Sequence, residues 1–425
     1  TAATASAATF APDEPACGTT ARSFWYTSVP PVSTNYLFTA EFADASVTAN
    51  NAFVVGVYTG NDFVTDFVPV GCFDDNDGRS AGERISLPLD AGVRYNFQVI
   101  LTAEVLTNAL INIALDSVPQ NNWLGGTSSQ WDEPTNWSLG RVPLAQDAVL
   151  ITSGTPNAWQ VGEVSGTITN AVARQVRVTE QIFTVNNGSS LTLAGGDNGL
   201  YVEQGASCRL LGSLDISNQG DDGRYVEGAS VEVNASASLT ITDIGDDGIH
   251  LNEEAEMLYS STSSTISDIG DNGVVVDSSV LSCLDGSTLT VTSVADDCLA
   301  ILRDANFVLS GTLNCVDPDD DGIIVSASDV NLQPSATLSI SGTGDDGISL
   351  NQEAVLGCAS PNISITDIFD NGLVIDSSRV GILSTGSVLI DNVGDRGVAA
   401  FNEAELVIAG NLTCSNTVSD GMSLF

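Results

Sequence analysis

The stretch TITDIGDDGIHL, residues 240–251, sets two aspartates and a glycine in a tight turn between two alternating apolar segments. The same turn returns, in varied spelling, through the second half of the chain. Its glycine position falls at Gly199, Gly223, Gly248, Gly273, Cys298, Gly322, Gly347, Gly372, Gly397 and Gly421, in steps of 24 or 25 residues. A fixed period of this size marks a solenoid, whose repeats bury their apolar faces only against their neighbours. Seven residues before the glycine position stand Ile216, Ile241, Ile266, Val291, Cys315, Ile340, Ile365, Ile390 and Cys414. One residue after it come Ile249, Val274, Leu299, Ile323, Ile348, Leu373 and Val398. Around these anchors the apolar residues alternate, which is strand periodicity and not helix periodicity. A third, looser strand follows, as in AEMLY (255–259), ANFVL (305–309), RVGIL (379–383) and AELVI (404–408).

Three strands per period predict an all-β chain whose second part is a right-handed parallel β-helix of about ten 24–25-residue coils. Coils stacked ~4.8 Å apart give a rod on the order of 48 Å. Stacking aligns the turns, so the first acidic position becomes a ladder: Asp197, Asp221, Asp246, Asp271, Asp296, Asp320, Asp345, Asp370 and Asp395. The second runs Asn198, Asp222, Asp247, Asn272, Asp297, Asp321, Asp346, Asn371, Arg396 and Asp420. Like charges at ~4.8 Å repel by about 0.9 kcal/mol in water and by more where solvent is scarce. Such a ladder must be screened, protonated or bridged by cations. Carboxylates, amides and turn carbonyls are hard oxygen donors that suit Ca²⁺. The candidate structural ligands are Asp221, Asp222, Asp246, Asp247, Asp271, Asp320, Asp321, Asp345, Asp346 and Asp370. The competing account is that Asp, Asn and Gly fill these turns because they tolerate left-handed φ and cap their own backbone.

The chain has 54 acidic against 12 basic residues, a formal charge of −42, and every basic residue is arginine. That field excludes nucleic acid and anionic membranes as partners and favours cations or neutral and basic surfaces; alternatively it serves solubility, as at high salt. No apolar run reaches the ~18 residues of a membrane span. The start, TAATASAATFAPDEP, reads as a mature N-terminus after processing. With abundant Ser, Thr, Asn and Gly it implies a secreted, extracellular or cell-surface protein. The expected organisation is an N-terminal arm (1–14), a β-sandwich module (15–118), a Trp-rich cap with first coils (119–185) and the β-helix repeats (186–425).

In the N-terminal third, short strands such as SFWYTSV, NYLFTAEF and RYNFQVIL alternate with turn clusters and predict an antiparallel sandwich. The order ACGTTARSFWYTSVPPVSTNYLFTAEF (16–42), VVGVYTG (54–60), VPVGCFDDNDG (68–78) and LPLDAGVRYNFQVIL (87–101) resembles the pre-peptidase C-terminal jelly-roll modules of secreted bacterial proteins. That resemblance implies a non-catalytic accessory module that binds calcium or polysaccharide surfaces. It makes Asp74, Asp75 and Asp77 candidate calcium ligands, with a plain solvated loop as the alternative. Cys17 and Cys72 are the only cysteines of this third and are candidates to pair. Cys315 and Cys414 stand where the repeat has aliphatics and read as buried thiols acting as small apolar residues.

The segment NNWLGGTSSQWDEPTNWSLGRVPLAQDAVLI (121–151) resembles the lead-in of many secreted bacterial parallel β-helix proteins of the pectate-lyase-like superfamily. A solenoid's open end needs cover, and Trp123, Trp131 and Trp137 are candidates for it; an aromatic sugar platform is the alternative. One coil carries VADDCLAIL (294–302), similar to the aspartate pair of polygalacturonases, which hydrolyse pectin with paired carboxylates. The rest of that family's pattern is missing: its Asn-Thr-Asp, Gly-His-Gly and Arg-Ile-Lys segments have no counterpart. The only histidine, His250, lies two coils away, and no lysine exists to hold a uronate. Neighbouring coils carry the same acidic pair, so the repeat explains it better. Asp296 and Asp297 remain the residues of an alternative reading, a polygalacturonase-like hydrolase or lyase.

Outward hydroxyls at Thr240, Thr242, Thr265, Ser267, Thr290 and Thr292 form an array of the kind that matches ice or crystalline sugars. Asp215, Val316, Leu389 and Asp391 break its regularity, and β-favouring residues on a wet face explain it as well. The chain stops at SDGMSLF, part-way through a repeat: either the ordered region ends there, or the last coil is left open, and an open sheet edge invites head-to-tail pairing into a filament. The arm ATASAATFAP reads either as a strand donated to a neighbour or as a frayed terminus. The reading that follows is a non-catalytic, calcium-stabilised subunit of a surface fibre, filament, sheath or adhesin, with polysaccharide or a cell surface as its partner.

Overall fold

The computed structural model describes residues 2–4, 22–42, 53–60, 67–73, 82–101, 110–152, 159–161, 170–359 and 362–425. The chain divides into two compact units, Thr1–Gln120 and Asn121–Phe425.

The first unit contains two four-stranded antiparallel sheets. One runs Ala2–Thr4, Leu110–Val118, Thr34–Phe42, Gly82–Leu89; the other runs Arg22–Ser28, Tyr95–Leu101, Phe53–Thr59, Val68–Phe73. Alternation sends one set of side chains from each sheet into a shared core. Phe38 and Phe97 meet there face to face, with ring centroids 4.4 Å apart. Within the chain, Ala2–Thr4 pairs with Leu110–Asn112 of the same sheet, and the rest of the arm lies outside the described residues. Cys72 is disulfide-bonded. Its expected partner Cys17, and the candidate ligands Asp74, Asp75 and Asp77, lie outside the described residues.

The second unit is a parallel β-solenoid made of three sheets. Sheet I holds the strands that precede the acidic turn, 11 of them from Asn170–Ala173 to Asn411–Thr417. Sheet II holds those that follow it, 13 from Gln120–Asn122 to Met422–Leu424. Sheet III has 11, from Trp159–Val161 to Glu405–Ile408. Register is strict: Ile241 pairs with Ile266, Ile266 with Val291, and Val291 with Cys315. Inward residues from all three sheets, such as Ile241, Leu251 and Tyr259, form one continuous core at 0% exposure. Trp123, Trp131 and Trp137 belong to that core, packed edge to face at 5.0 and 4.7 Å, which makes them cover for the first coils and excludes a sugar platform.

The coils number about eleven, one more than the turn motif reveals. The extra coil is Asn170–Ala173, Gln175–Val178 and Ile182–Val185, where the single residue Arg174 replaces the acidic turn and shortens the period.

The turn glycines are required by close approach and not by backbone handedness. A Cβ on Gly248 would sit 2.5 Å from both the Gly273 carbonyl oxygen and Ile266 Cγ2 of the next coil, and Gly322 meets Gly347 and Ile340 the same way. Left-handed φ occurs earlier in each coil, at Asn218, Asp243, Asp268, Ser293, Asp317, Gly342, Asp367, Asn392 and Asn416. The glycine of one coil therefore packs on the aliphatic of the next. At a single step both members of this pair change, to Cys298 and Cys315, and the two are joined by a disulfide with Cα atoms 5.8 Å apart. Cys315 is thus not the free thiol expected from its aliphatic position. Cys414, packed against Gly397, is free, as are Cys208, Cys283 and Cys358.

Two substitutions test this pairing. Gly322→Ala overpacks the step and should cost about 1–3 kcal/mol in denaturant unfolding. The double variant Cys298→Gly, Cys315→Ile rebuilds the pair found elsewhere, so it should fold with an unchanged far-UV spectrum and lose less melting temperature on reduction than the parent chain, the Cys72 disulfide remaining.

Candidate functional site: the aspartate ladder

The two acidic positions of the turn, equivalent in sequence, differ sharply in space. The second position is buried: Asp222, Asp247, Asp297, Asp321, Asp346 and Asn371 are 3–9% exposed. Each uses Oδ1 to accept the backbone N–H of the residue stacked on it in the next coil. Asp247 N donates to Asp222 at 3.2 Å, Asn272 N to Asp247 at 3.1 Å and Asp297 N to Asn272 at 3.3 Å. The series continues with Asp321 N to Asp297 at 3.0 Å, Asp346 N to Asp321 at 2.8 Å, Asn371 N to Asp346 at 2.9 Å and Arg396 N to Asn371 at 3.3 Å. An unpaired buried N–H costs roughly 1–3 kcal/mol, so this position demands a short side chain with a carbonyl-type oxygen. Aspartate and asparagine both qualify, which explains their interchange. The burial itself left no mark in the sequence, because two adjacent aspartates look alike until one strand turns inward.

The buried carboxylates also lie close to the first-position aspartates, and Asp247 Oδ2 in addition meets His250 Nδ1 at 3.0 Å. Side-chain oxygens of Asp221, Asp222 and Asp246 lie within 4.8 Å of one another, as do those of Asp246, Asp247 and Asp271. Asp296, Asp297 and Asp320 form a further such group, and Asp320, Asp321 and Asp345 another. Asp346 and Asp370 are joined differently, through the Asn371 amide, which donates to both at 3.0 and 2.9 Å. Asn272 bridges Asp247 and Asp271 likewise, at 3.1 and 3.2 Å. Arg396 pairs with Asp395. An amide or guanidinium in the ladder therefore does what a bound cation would do elsewhere in it. The all-oxygen donor sets left between these bridges fit a hard divalent cation such as Ca²⁺.

Crowding and burial act together on protonation. Desolvation first, then the neighbouring carboxylates, hold Asp222 well above the carboxylate range and push Asp297 up to about 8. The same causes raise Asp246 to about 7 and Asp271 to about 6. Asp321 rises to about 7 and Asp346 to about 6, by desolvation against the pull of the N–H each accepts. Desolvation also raises Asp296 and Asp345.

The Asp296–Asp297 pair has the same geometry as its neighbours. Asp297 Oδ1 is occupied by the Asp321 N–H, so the acidic pair of this coil is bonded as in the others, and the Cys298–Cys315 disulfide is what sets the coil apart. His250 sits on the outer face of sheet II with Nδ1 3.0 Å from Asp247 Oδ2, two coils away from that pair. Arg303 binds Asp277. The hydroxyl array is in register, with Thr240, Thr265 and Thr290 consecutive, but Asp215, Asn314 and Leu389 occupy the same column. Sequence reading passed over two further features: Arg224, wholly buried with Nη2 3.1 Å from Cys208 Sγ, and the column Arg177, Tyr201, Tyr225, His250 on sheet II.

The fold and the ladder define a parallel β-solenoid protein with an N-terminal antiparallel module. No family model matches the chain, and no curated protein does. Among solved structures, the catalytic domain of Agl-KA is similar at 11% identity and TM-score 0.27, covering 93% of this chain and 90% of that one. PfbA, a surface adhesin of Streptococcus pneumoniae, is similar at 10% identity and TM-score 0.25, covering 65% and 85%.

Because the ladder carboxyls are raised in the folded state, they stabilise the fold most when protonated. Without divalent cations this contribution is fully present below about pH 4 and is lost as pH rises through about 6 to about 8. The melting temperature in chelator should fall steadily from pH 4 to 9; a flat or rising profile would contradict the assignment. In the same buffer Asp297→Ala orphans the Asp321 N–H and should cost about 1–3 kcal/mol. Asp297→Asn keeps the acceptor and should be neutral or stabilising.

Proposed function

We propose that the protein is an extracellular structural subunit of a surface fibre, filament, sheath or adhesin, with calcium bound between the acidic turns of its solenoid. The observation that carries this reading is the uniformity of the ladder. The same side chains make the same bonds from coil to coil, so the acidic groups serve the stack as a whole and do not converge on one substrate. Calcium suits the site because hard carboxylate oxygens from adjacent coils meet, with donors supplied only at Asn198, His250, Asn272, Asn371 and Arg396 among the described residues. The disulfides at Cys72 and between Cys298 and Cys315 support maturation in an oxidising compartment, and hence secretion. Among the described residues no helix is long and apolar enough to cross a membrane. The net charge of −42 argues for neutral or basic partners.

Calcium should bind the chelated protein with measurable heat and raise its melting temperature at pH 8, where the carboxylates are most charged; magnesium, which sheds its water reluctantly, should do so less. Absence of both heat and a thermal shift would remove the metal from the account. Electron microscopy of the native protein should show ordered polymers that lose order in chelator. Turnover of an acidic polysaccharide, abolished by Asp297→Asn, would instead establish the polysaccharide-active alternative.

A further inference from the structure

On the outer face of sheet II, four consecutive coils carry large side chains in one column: Arg177, Tyr201, Tyr225 and His250. The rings are in contact, Tyr201 to Tyr225 at 4.9 Å and Tyr225 to His250 at 5.1 Å, and the Arg177 guanidinium lies 4.9 Å from the Tyr201 ring centre. A second column two residues on holds Glu203, Glu227 and Asn252. Arg177 pairs with Glu203, the Tyr201 hydroxyl donates to Glu227, and the Asn252 amide donates to the Tyr225 hydroxyl at 3.0 Å. Beside them is an open depression of ≈ 750 Å³ lined by Thr152, Arg177, Thr179, Tyr201, Glu203 and Glu227.

The sheet does not need these rings. One coil further the column continues as Val275 and then Ala300, with unbroken strand pairing. The rings are partly exposed, and the bonds at their tips hold them in place. Aromatic faces carry partial negative charge and attract the polarised C–H faces of a sugar ring. Carboxylates and amides alongside them accept from and donate to hydroxyls. Because the pattern advances one coil at a time, ~4.8 Å per step, a linear polymer lying along the solenoid axis meets an aromatic and a polar group at each step. Charge narrows the choice. Glu180, Glu203 and Glu227 against Arg177 leave the depression negative, within a chain of −42, which repels a polyanion.

We propose that this ledge binds a linear polysaccharide that is uncharged or amine-bearing, lying along the axis across Tyr201 and Tyr225. The assignment goes beyond the structural and calcium reading and does not depend on it, since no ladder carboxylate lines the depression. Titration calorimetry on the full chain, in calcium and again in chelator, would use cellohexaose, laminarihexaose, mannohexaose, xylohexaose and chitosan hexamer, with hexagalacturonate as the anionic comparison. Binding of at least one non-anionic hexamer is expected, weakened more than tenfold by Tyr225→Ala and by Glu203→Gln. Both positions face solvent, and unchanged melting temperatures would show that the variants fold. Silence from every non-anionic hexamer, preference for the galacturonate, or full affinity in two folded variants would each overturn the proposal.

Discussion

The constraint on which the solenoid depends is that every residue lies directly against its counterpart one coil away. Parallel pairing in strict register gives each backbone group its partner, but it also removes any freedom to choose neighbours. A side chain that suits its own coil must also suit a copy of itself about 4.8 Å above and below. Aliphatics satisfy this easily, and they fill the interior. Charged groups satisfy it only with help, and the acidic turn shows what that help looks like. Backbone N–H groups bind one oxygen of each buried carboxylate, while asparagine amides and Arg396 interrupt the series of negative charges.

The same constraint accounts for the cysteines. Close stacking at the turn leaves room for a glycine opposite an aliphatic, and nowhere along the repeat is that complementarity tighter than at Gly273, whose Cβ would fall 2.2 Å from Val291 Cγ1. Replacing only the glycine would force a clash. Replacing both members puts two thiols where two hydrocarbon groups would have met, and the bond between them turns a forbidden contact into a covalent one. The remaining cysteines inside the solenoid face ordinary neighbours and stay reduced, which is why position in the repeat alone was not enough to tell Cys315 from Cys414.

Much of the fold was legible because a solenoid writes its geometry into the spacing of its residues. The 24–25-residue period, the Ile before the turn and the aliphatic after it gave the sheets and their register directly. What failed to show was whatever breaks the period or depends on the third dimension. The coil cornered by Arg174 has no acidic turn and so no signal. The inward rotation of the second aspartate looks the same in sequence as an outward one. The reason for the glycines was misjudged, because left-handed φ and close approach favour the same residue and only coordinates separate them. The aromatic column on sheet II was hidden for the opposite reason: Tyr201, Tyr225 and His250 sit at one repeat position yet are chemically unlike the Val275 and Ala300 that continue it.

The backbone does not require the ladder to carry charge. At the second position an amide oxygen also accepts the next coil's N–H, at 3.3 Å for both Asn272 and Asn371 against 2.8 to 3.2 Å for the carboxylates. A ladder of asparagines would satisfy the backbone with no repulsion and no desolvated charge. Yet Asp222, Asp247, Asp297, Asp321 and Asp346 are all acids, held where burial and their neighbours oppose ionisation. The backbone bond explains the shape of the residue and leaves its charge unexplained. Solubility does not explain it either, since a buried carboxylate contributes little to the surface field that keeps proteins apart. The proposed binding of a divalent cation between coils would need the charge itself, repeated along the axis.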